Sequence, residues 1–222
     1  MKPDAFMFVV LADQVSSRAG SDRVPTALDL LTSSVGDRAA LPFERTAGDE
    51  LQGLTPAPDA VVDAVAQLTR LGGWRIGIGA GEVETPLPES TRAARGGAYL
   101  AAREAIGAAR SSPTGLGLAV AGGDPAVIVT AGGYGEDVVA IADAETALWL
   151  LRGVLERRSQ EGWELVDLLD RGLTNTQAAG RLGISPSAVS QRLARTHRTE
   201  AARAAALAGR LLARLGPHQE RP

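Results

Sequence analysis

Apolar positions along the chain fall into short runs with a changing period. AFMFVVLAD over 5–13 is unbroken enough for a buried strand, and PTALDLLTSSV places apolar residues at 27, 28, 31 and 35 behind Pro25, which predicts a helix. FERTAG and ELQGLT read as two short strands meeting at Gly48 and Asp49. PDAVVDAVAQLTRLG is a helix closed by Gly72 and Gly73, followed by the strand WRIGIGAGEV. After the loop TPLPES, the alanine-rich TRAARGGAYLAAREAIGAAR predicts a helix whose start lies near Gly97, and GLGLAVAGG and AVIVTAGG supply late strands. The predicted order is βαββαβαββ.

From about Asp137 the period becomes that of continuous helix as far as Gly172, which predicts a domain boundary within 140–160: an α+β domain over 1–140 and a helical one over 141–222. The Ala/Arg-rich tail at 199–215 is a strong helix former. Its apolar stripe serves either to pair two chains or to cover the core of its own module. Trp74, Trp149 and Trp163 suit core or interdomain packing.

Composition narrows the chemistry. The 222 residues are 45% hydrophobic, enough for one good core and a smaller second one. There is no cysteine, and the two histidines, His197 and His218, both lie near the end, so any metal would be held by oxygen. The apolar run from Ala5 to Leu11 is too short to span a membrane and lacks a cleavage signal, which predicts a cytoplasmic protein without a membrane partner.

Net charge is −3, but it is unevenly spread. Residues 171–216 hold eight arginines against Glu200 alone, so this segment carries +7 and the rest about −10. A polyanion suits one end of the chain only.

The basic end contains LTNTQAAGRLGISPSAVSQRLARTH. Thr174 is placed to cap one helix, Gly183 makes the turn, and Ser185 caps a second helix with Pro186 at its first position. Ala178, Leu182, Ile184, Val189 and Leu193 give the apolar spacing of a helix-turn-helix. Its second helix offers Ser187, Ser190, Gln191, Arg192 and Arg195 to base edges and phosphates, which predicts double-stranded DNA as partner. A plain helical hairpin with a solvated basic face is the competing reading. One such unit spans few base pairs, so a homodimer is expected.

The acidic end carries a resemblance. VVLADQVSS, RTAGDELQGL and WRIGIGAGEVETPLP with GGAYLAAREAI resemble, in that order, the first strand and metal loop, the acidic hairpin, and the strand and helix of class III nucleotide cyclase domains. With its tail, the whole chain resembles the SatD family of bacterial proteins. The resemblance implies a ferredoxin-like, palm-type N-terminal fold. It also implies that Asp13 and Asp49 hold Mg²⁺ or Mn²⁺ against a nucleotide, helped by Gln14, Val15, Ser16, Ser17, Arg45, Glu50 and Arg103. Independently, two strand-end carboxylates on adjacent strands make a hard oxygen site.

The match is partial. Arg103 stands at the position of the transition-state arginine, but Tyr99 replaces the expected asparagine, Arg92 the expected base-reading acid, and Arg45 a lysine. Glu50, by strand alternation, is expected to face away from Asp49 and to be a second-choice ligand. The reading that follows is a DNA-binding transcriptional regulator whose cyclase-like domain dimerises and senses a nucleotide or phosphate ligand with Mg. The alternatives are an active cyclase or nucleotidyltransferase with a DNA-binding tail, and a dimerisation domain in which both aspartates only cap strand ends.

Overall fold

The computed structural model describes residues 5–15, 20–122, 127–132 and 136–216, without the side chains of 136 and 137. Ten-residue β1 (Ala5–Gln14) is the centre of a six-stranded sheet. It is followed by α1 (Val24–Val35), a short 3₁₀ turn (Gly36–Arg38), β2 (Leu41–Arg45), β3 (Glu50–Thr55), α2 (Pro58–Leu71) and β4 (Trp74–Val83). Then come α3 (Gly97–Ala108), β5 (Leu116–Ala121) and β6 (Ile128–Thr130). The strand order is β2-β3-β1-β4-β5-β6, antiparallel throughout except for the parallel pair β4 and β5.

Alternation assigns the two faces. Phe8, Val10 and Ala12 of β1 and Ile76, Ile78 and Ala80 of β4 point toward α1 and α2 and share one core with them. Met7, Val9 and Leu11 point the other way, against Ala98 and Ala102 of α3. On that second face β4 presents Gly77, Gly79 and Gly81. A β-carbon at Gly79 would stand 2.1 Å from the carbonyl oxygen of Ala98, and one at Gly117 of β5 would stand 2.3 Å from that of Ala105. The helix therefore lies at backbone contact with the sheet, a fit made by glycine below and alanine above.

Beyond the sheet lie α4 (Glu136–Leu155), α5 (Gln160–Asp170), α6 (Asn175–Leu182), α7 (Pro186–Arg195) and α8 (Arg198–Ala213). The helix expected to run unbroken to 172 is interrupted at 156–159, where Ser159 accepts a hydrogen bond from the Gly162 amide and starts α5 afresh. Because β6 is short, the outer edge of β5 is only partly paired, and side chains of α4 bond to it and to Gly115 just before it. The Leu118 amide donates to Glu145 Oε1 at 2.9 Å, Trp149 Nε1 donates to the Leu116 oxygen at 2.9 Å, and Arg152 Nη1 donates to the Gly115 oxygen at 3.0 Å. Burial pushes the Glu145 carboxyl above its ordinary value, opposed by the Leu118 amide.

Two apolar clusters account for the helical part. Leu165, Ala178, Ala179 and Val189 close a small core among α5, α6 and α7. The tail helix does not join it: Ala201, Ala208 and Leu212 of α8 belong to the large core, against α2 and α4. The buried side of its stripe thus covers the outer helical layer of the sheet and not the small module. No helix among the described residues is long and apolar enough to cross a membrane.

The contact-distance seating of α3 gives two opposite expectations. Gly79→Ala should destabilise the fold by about 3 kcal/mol, because backbone atoms stand where the methyl group must go. Gly107→Ala, in the same helix but with open space around it, should stabilise it by about 0.5–1 kcal/mol. Urea denaturation of the two variants checks both signs.

Candidate functional site

Antiparallel register puts one row of charges across three strands. Asp13 of β1 stands opposite Glu50 of β3 on one side and Arg75 of β4 on the other. Directly paired residues share a face, so all three lie on the α3 side of the sheet. Glu50 therefore shares a face with Asp13, a placement set by the register that follows the four-residue turn 46–49. Arg75 Nη1 lies 3.5 Å from Asp13 Oδ2, and Arg103 Nη1 of α3 lies 4.0 Å from Glu50 Oε2.

Asp49, the last residue of that turn, is adjacent: its carbonyl oxygen accepts from the Gln14 amide at 3.2 Å. The Asp13 carboxyl is pushed above its ordinary value first by burial and next by the negative charge of Asp49, while Arg75 and Arg110 oppose the rise and Glu50 adds to it. The structure thus brings Asp13, Asp49, Glu50 and Arg103 to one end of the sheet, and adds Arg75 and Arg110.

The other predicted ligands have local duties. The Gln14 side chain is buried, donating to the Ser21 oxygen at 2.8 Å and accepting from the Arg23 amide at 2.9 Å, so it shapes the β1 to α1 loop. Val15 is exposed, with its amide bonded to the Gly73 oxygen at 2.9 Å. Arg45 bonds Asp22 Oδ2 at 2.5 Å and the Gly48 oxygen at 2.6 Å. Ser16 and Ser17 lie outside the described residues. Tyr99 shares a hydrogen bond of 3.2 Å with Thr91, which also accepts from buried Gln52, and the Arg92 amide donates to Glu44.

The donor set suits a hard cation. Among the described residues no three His, Cys, Asp or Glu side chains are grouped to hold one ion by themselves. Two neighbouring carboxylates completed by water and phosphate oxygens is the arrangement Mg²⁺ accepts, so the residues fit that ion only together with a phosphate-bearing ligand. Asp13 and Asp49 would hold it there.

At the basic end α6 and α7 meet across Gly183, whose φ of 65° is the left-handed turn glycine favours. Thr174 and Gln177 form a reciprocal capping box on α6, and Ser185 accepts from the Ala188 amide at 3.1 Å to cap α7. Ser190 donates to the Pro186 oxygen at 3.1 Å. Ser187, Ser190, Gln191 and Arg195 are exposed, whereas Arg192 is half-buried toward α5. Of the arginines from 157 to 214, Arg198 is paired, with Asp170 at 2.6 Å, and no other forms an ion pair with a carboxylate of α5–α8 among the described residues.

No protein-family model matches the chain, and no curated protein matches it. A solved structure described as a regulator of polyketide synthase expression from Bifidobacterium adolescentis is 14% identical, with 100% of this chain and 84% of that chain covered and a TM-score of 0.27. A superposition of that quality carries no argument about fold or function.

Asp13 offers a direct check of the charge row. Replacing Asp49 by Asn should lower the pH at which Asp13 loses its proton, because a neighbouring negative charge is removed; Arg75→Met should raise it. A folded carboxyl that holds its proton above the ordinary 3.8 loses stability as pH rises through its folded pKa, so Asp13→Asn should flatten that loss. Carboxyl carbon shifts followed by NMR and denaturation across pH read the two effects.

Proposed function

We propose that the chain is a sequence-specific DNA-binding regulator, with a helix-turn-helix formed by α6 and α7. It works as a homodimer through a ferredoxin-like, cyclase-type domain that binds a phosphate-bearing ligand with Mg²⁺. The observation that carries this reading is α7: capped by Ser185, set by the left-handed Gly183, and presenting Ser187, Ser190, Gln191 and Arg195 on a surface rich in unpaired arginine. Such a face supplies phosphate attraction and hydrogen-bonding groups for base edges together. The order β2-β3-β1-β4 with its helical crossovers supports the ferredoxin-like half.

The second reading, an active cyclase or nucleotidyltransferase, draws on the convergence of Asp13 and Asp49 with Arg103 near Glu50. Against it, the Tyr99 hydroxyl is engaged with Thr91, in a place where cyclase chemistry asks for a ribose-positioning amide. Sensing without turnover fits these residues better.

A contiguous set of contacts supports coupling between the two ends. Gln14, next to Asp13, holds the Arg23 amide; the Arg23 guanidinium donates to the Gly72 oxygen at 2.8 Å and also to the Leu71 oxygen, closing the end of α2. In the last turn of α2, Arg70 makes paired bonds of 2.8 and 2.7 Å to Asp167 of α5. Arg70 and Arg158 lie over the Trp163 ring at 4.9 and 4.3 Å, and Arg158 Nε donates to the Thr196 oxygen at the end of α7 at 3.0 Å. A ligand that shifts Asp13 and Gln14 would act on α7 through these packed groups.

Two outcomes are expected. The protein should bind duplex DNA with affinity that falls steeply with salt, and Arg195→Ala should cost about 1–3 kcal/mol in fluorescence anisotropy; no binding, or binding indifferent to salt, contradicts the reading. Mg²⁺ with the right nucleotide from a panel should change DNA affinity by about 1–3 kcal/mol. Asp13→Ala with Asp49→Ala should remove that change by removing the site. Arg70→Met should remove it while leaving ligand and DNA binding each intact.

A further inference from the structure

Beside the exposed face of α7 lies a groove of about 450 Å³ with an unusual lining. Arg157 and Arg158 come from the segment before α5, and Arg192 and Arg195 stand three residues apart on α7. Glu161 is the one carboxylate among its lining residues, leaving a clear excess of positive charge. The floor is the first turn of α5, where a β-carbon at Gly162 would stand 3.1 Å from Arg158 Cγ and 3.4 Å from Thr196 Cγ2. Glycine there keeps the turn tight against the end of α7.

The four guanidinium groups are not equivalent. Arg158 is buried and committed, with Nε bonded to Thr196 and its plane over Trp163, so it fixes the groove's shape. Arg192 is half-buried within the lining, and Arg195 is exposed at it. Arg157 is exposed and joins no ion pair among the described residues, so its charge is available. Glu161 in the lining and Asp170 and Asp167 near Arg158 offset part of the repulsion among these four like charges, and an anion in the groove would offset more of it.

We propose that this groove seats a backbone phosphate of bound duplex DNA, which makes Arg157 and the start of α5 a clamp beside the reading helix. The inference rests on the DNA-binding reading and deepens it. The choice of a DNA phosphate follows from position: Gln191 and Arg195 belong both to the groove and to the outward face of α7, so a helix lying in a major groove would bring the flanking strand to this edge. It also changes the assignment of Arg192, which faces the groove and so contacts backbone instead of a base edge. Sequence reading falls to Ser187, Ser190, Gln191 and Arg195.

The test uses the full chain, a labelled mixed-sequence duplex, and the substitution Arg157→Gln beside Arg210→Gln, an exposed charge on α8 away from the groove. Phosphate contacts carry no sequence information, so no operator is needed. Arg157→Gln should weaken binding several-fold and lower the slope of log affinity against log salt by about 0.9, the loss of one phosphate contact, while Arg210→Gln leaves that slope unchanged. An unaltered slope in Arg157→Gln, with Arg195→Ala still weakening binding, overturns the clamp and leaves the DNA-binding reading standing. Equal slope changes in both Gln variants also overturn it, since they would report general charge alone. No duplex binding by the wild type overturns clamp and reading together. A thermal stabilisation by inorganic phosphate that Arg157→Gln abolishes, with the DNA slope unchanged, would assign the groove to a free anion and overturn the clamp.

Discussion

The arrangement depends on how closely α3 lies on the sheet. A helix normally rides on side chains; here Gly77, Gly79 and Gly117 remove the lower layer, and Ala98, Ala101, Ala102 and Ala105 thin the upper one. Dispersion and burial are gained over a broad contact between nearly bare backbones, and no larger residue at those strand positions would allow it. Because α3 is seated over β1, β4 and β5, the row Glu50, Asp13 and Arg75 emerges just past its end. The negative end of the helix dipole points the same way, which Arg103 and Arg110 offset and a bound cation would offset further.

Much of this was legible in the sequence, for a physical reason. In WRIGIGAGEV the period of two is written twice, once as Ile76, Ile78 and Ala80 and once as Gly77, Gly79 and Gly81, so the strand and its unequal faces can be read without knowing its neighbours. The capping residues Thr174 and Ser185 and the turn at Gly183 are similarly local, and the structure has each in that role. What pattern could not give is register. The side on which Glu50 lies depends on a four-residue turn, and Arg75 entered the charge row only because β4 happens to pair with β1 at Asp13.

Long-range choices were equally hidden. The stripe on α8 is ordinary amphipathic helix, and nothing in its spacing says that α2 and α4 are its partners. The break before α5 rests on one serine in a polar stretch, and the groove beside α7 needs Arg157 and Arg158 folded back from the preceding linker. Charge asymmetry did survive: the arginine-rich end forms an exposed surface with few carboxylates, and three carboxylates of the acidic end, Asp13, Asp49 and Glu50, come to one corner of the sheet.

Function, on this account, comes from two charged ends of opposite demand, joined by the Arg70, Trp163 and Arg158 stack. The basic end is the part whose chemistry is most committed, and the central claim is that duplex DNA binds along α7 and the start of α5. Amide hydrogen exchange of the whole chain with and without a duplex measures this directly. The account predicts slowed exchange confined to the starts of α5 and α6 and to α7, with α1, α8 and the β2 edge unchanged. Protection centred on the sheet or on α8, with α7 exchanging as in the free protein, would contradict it.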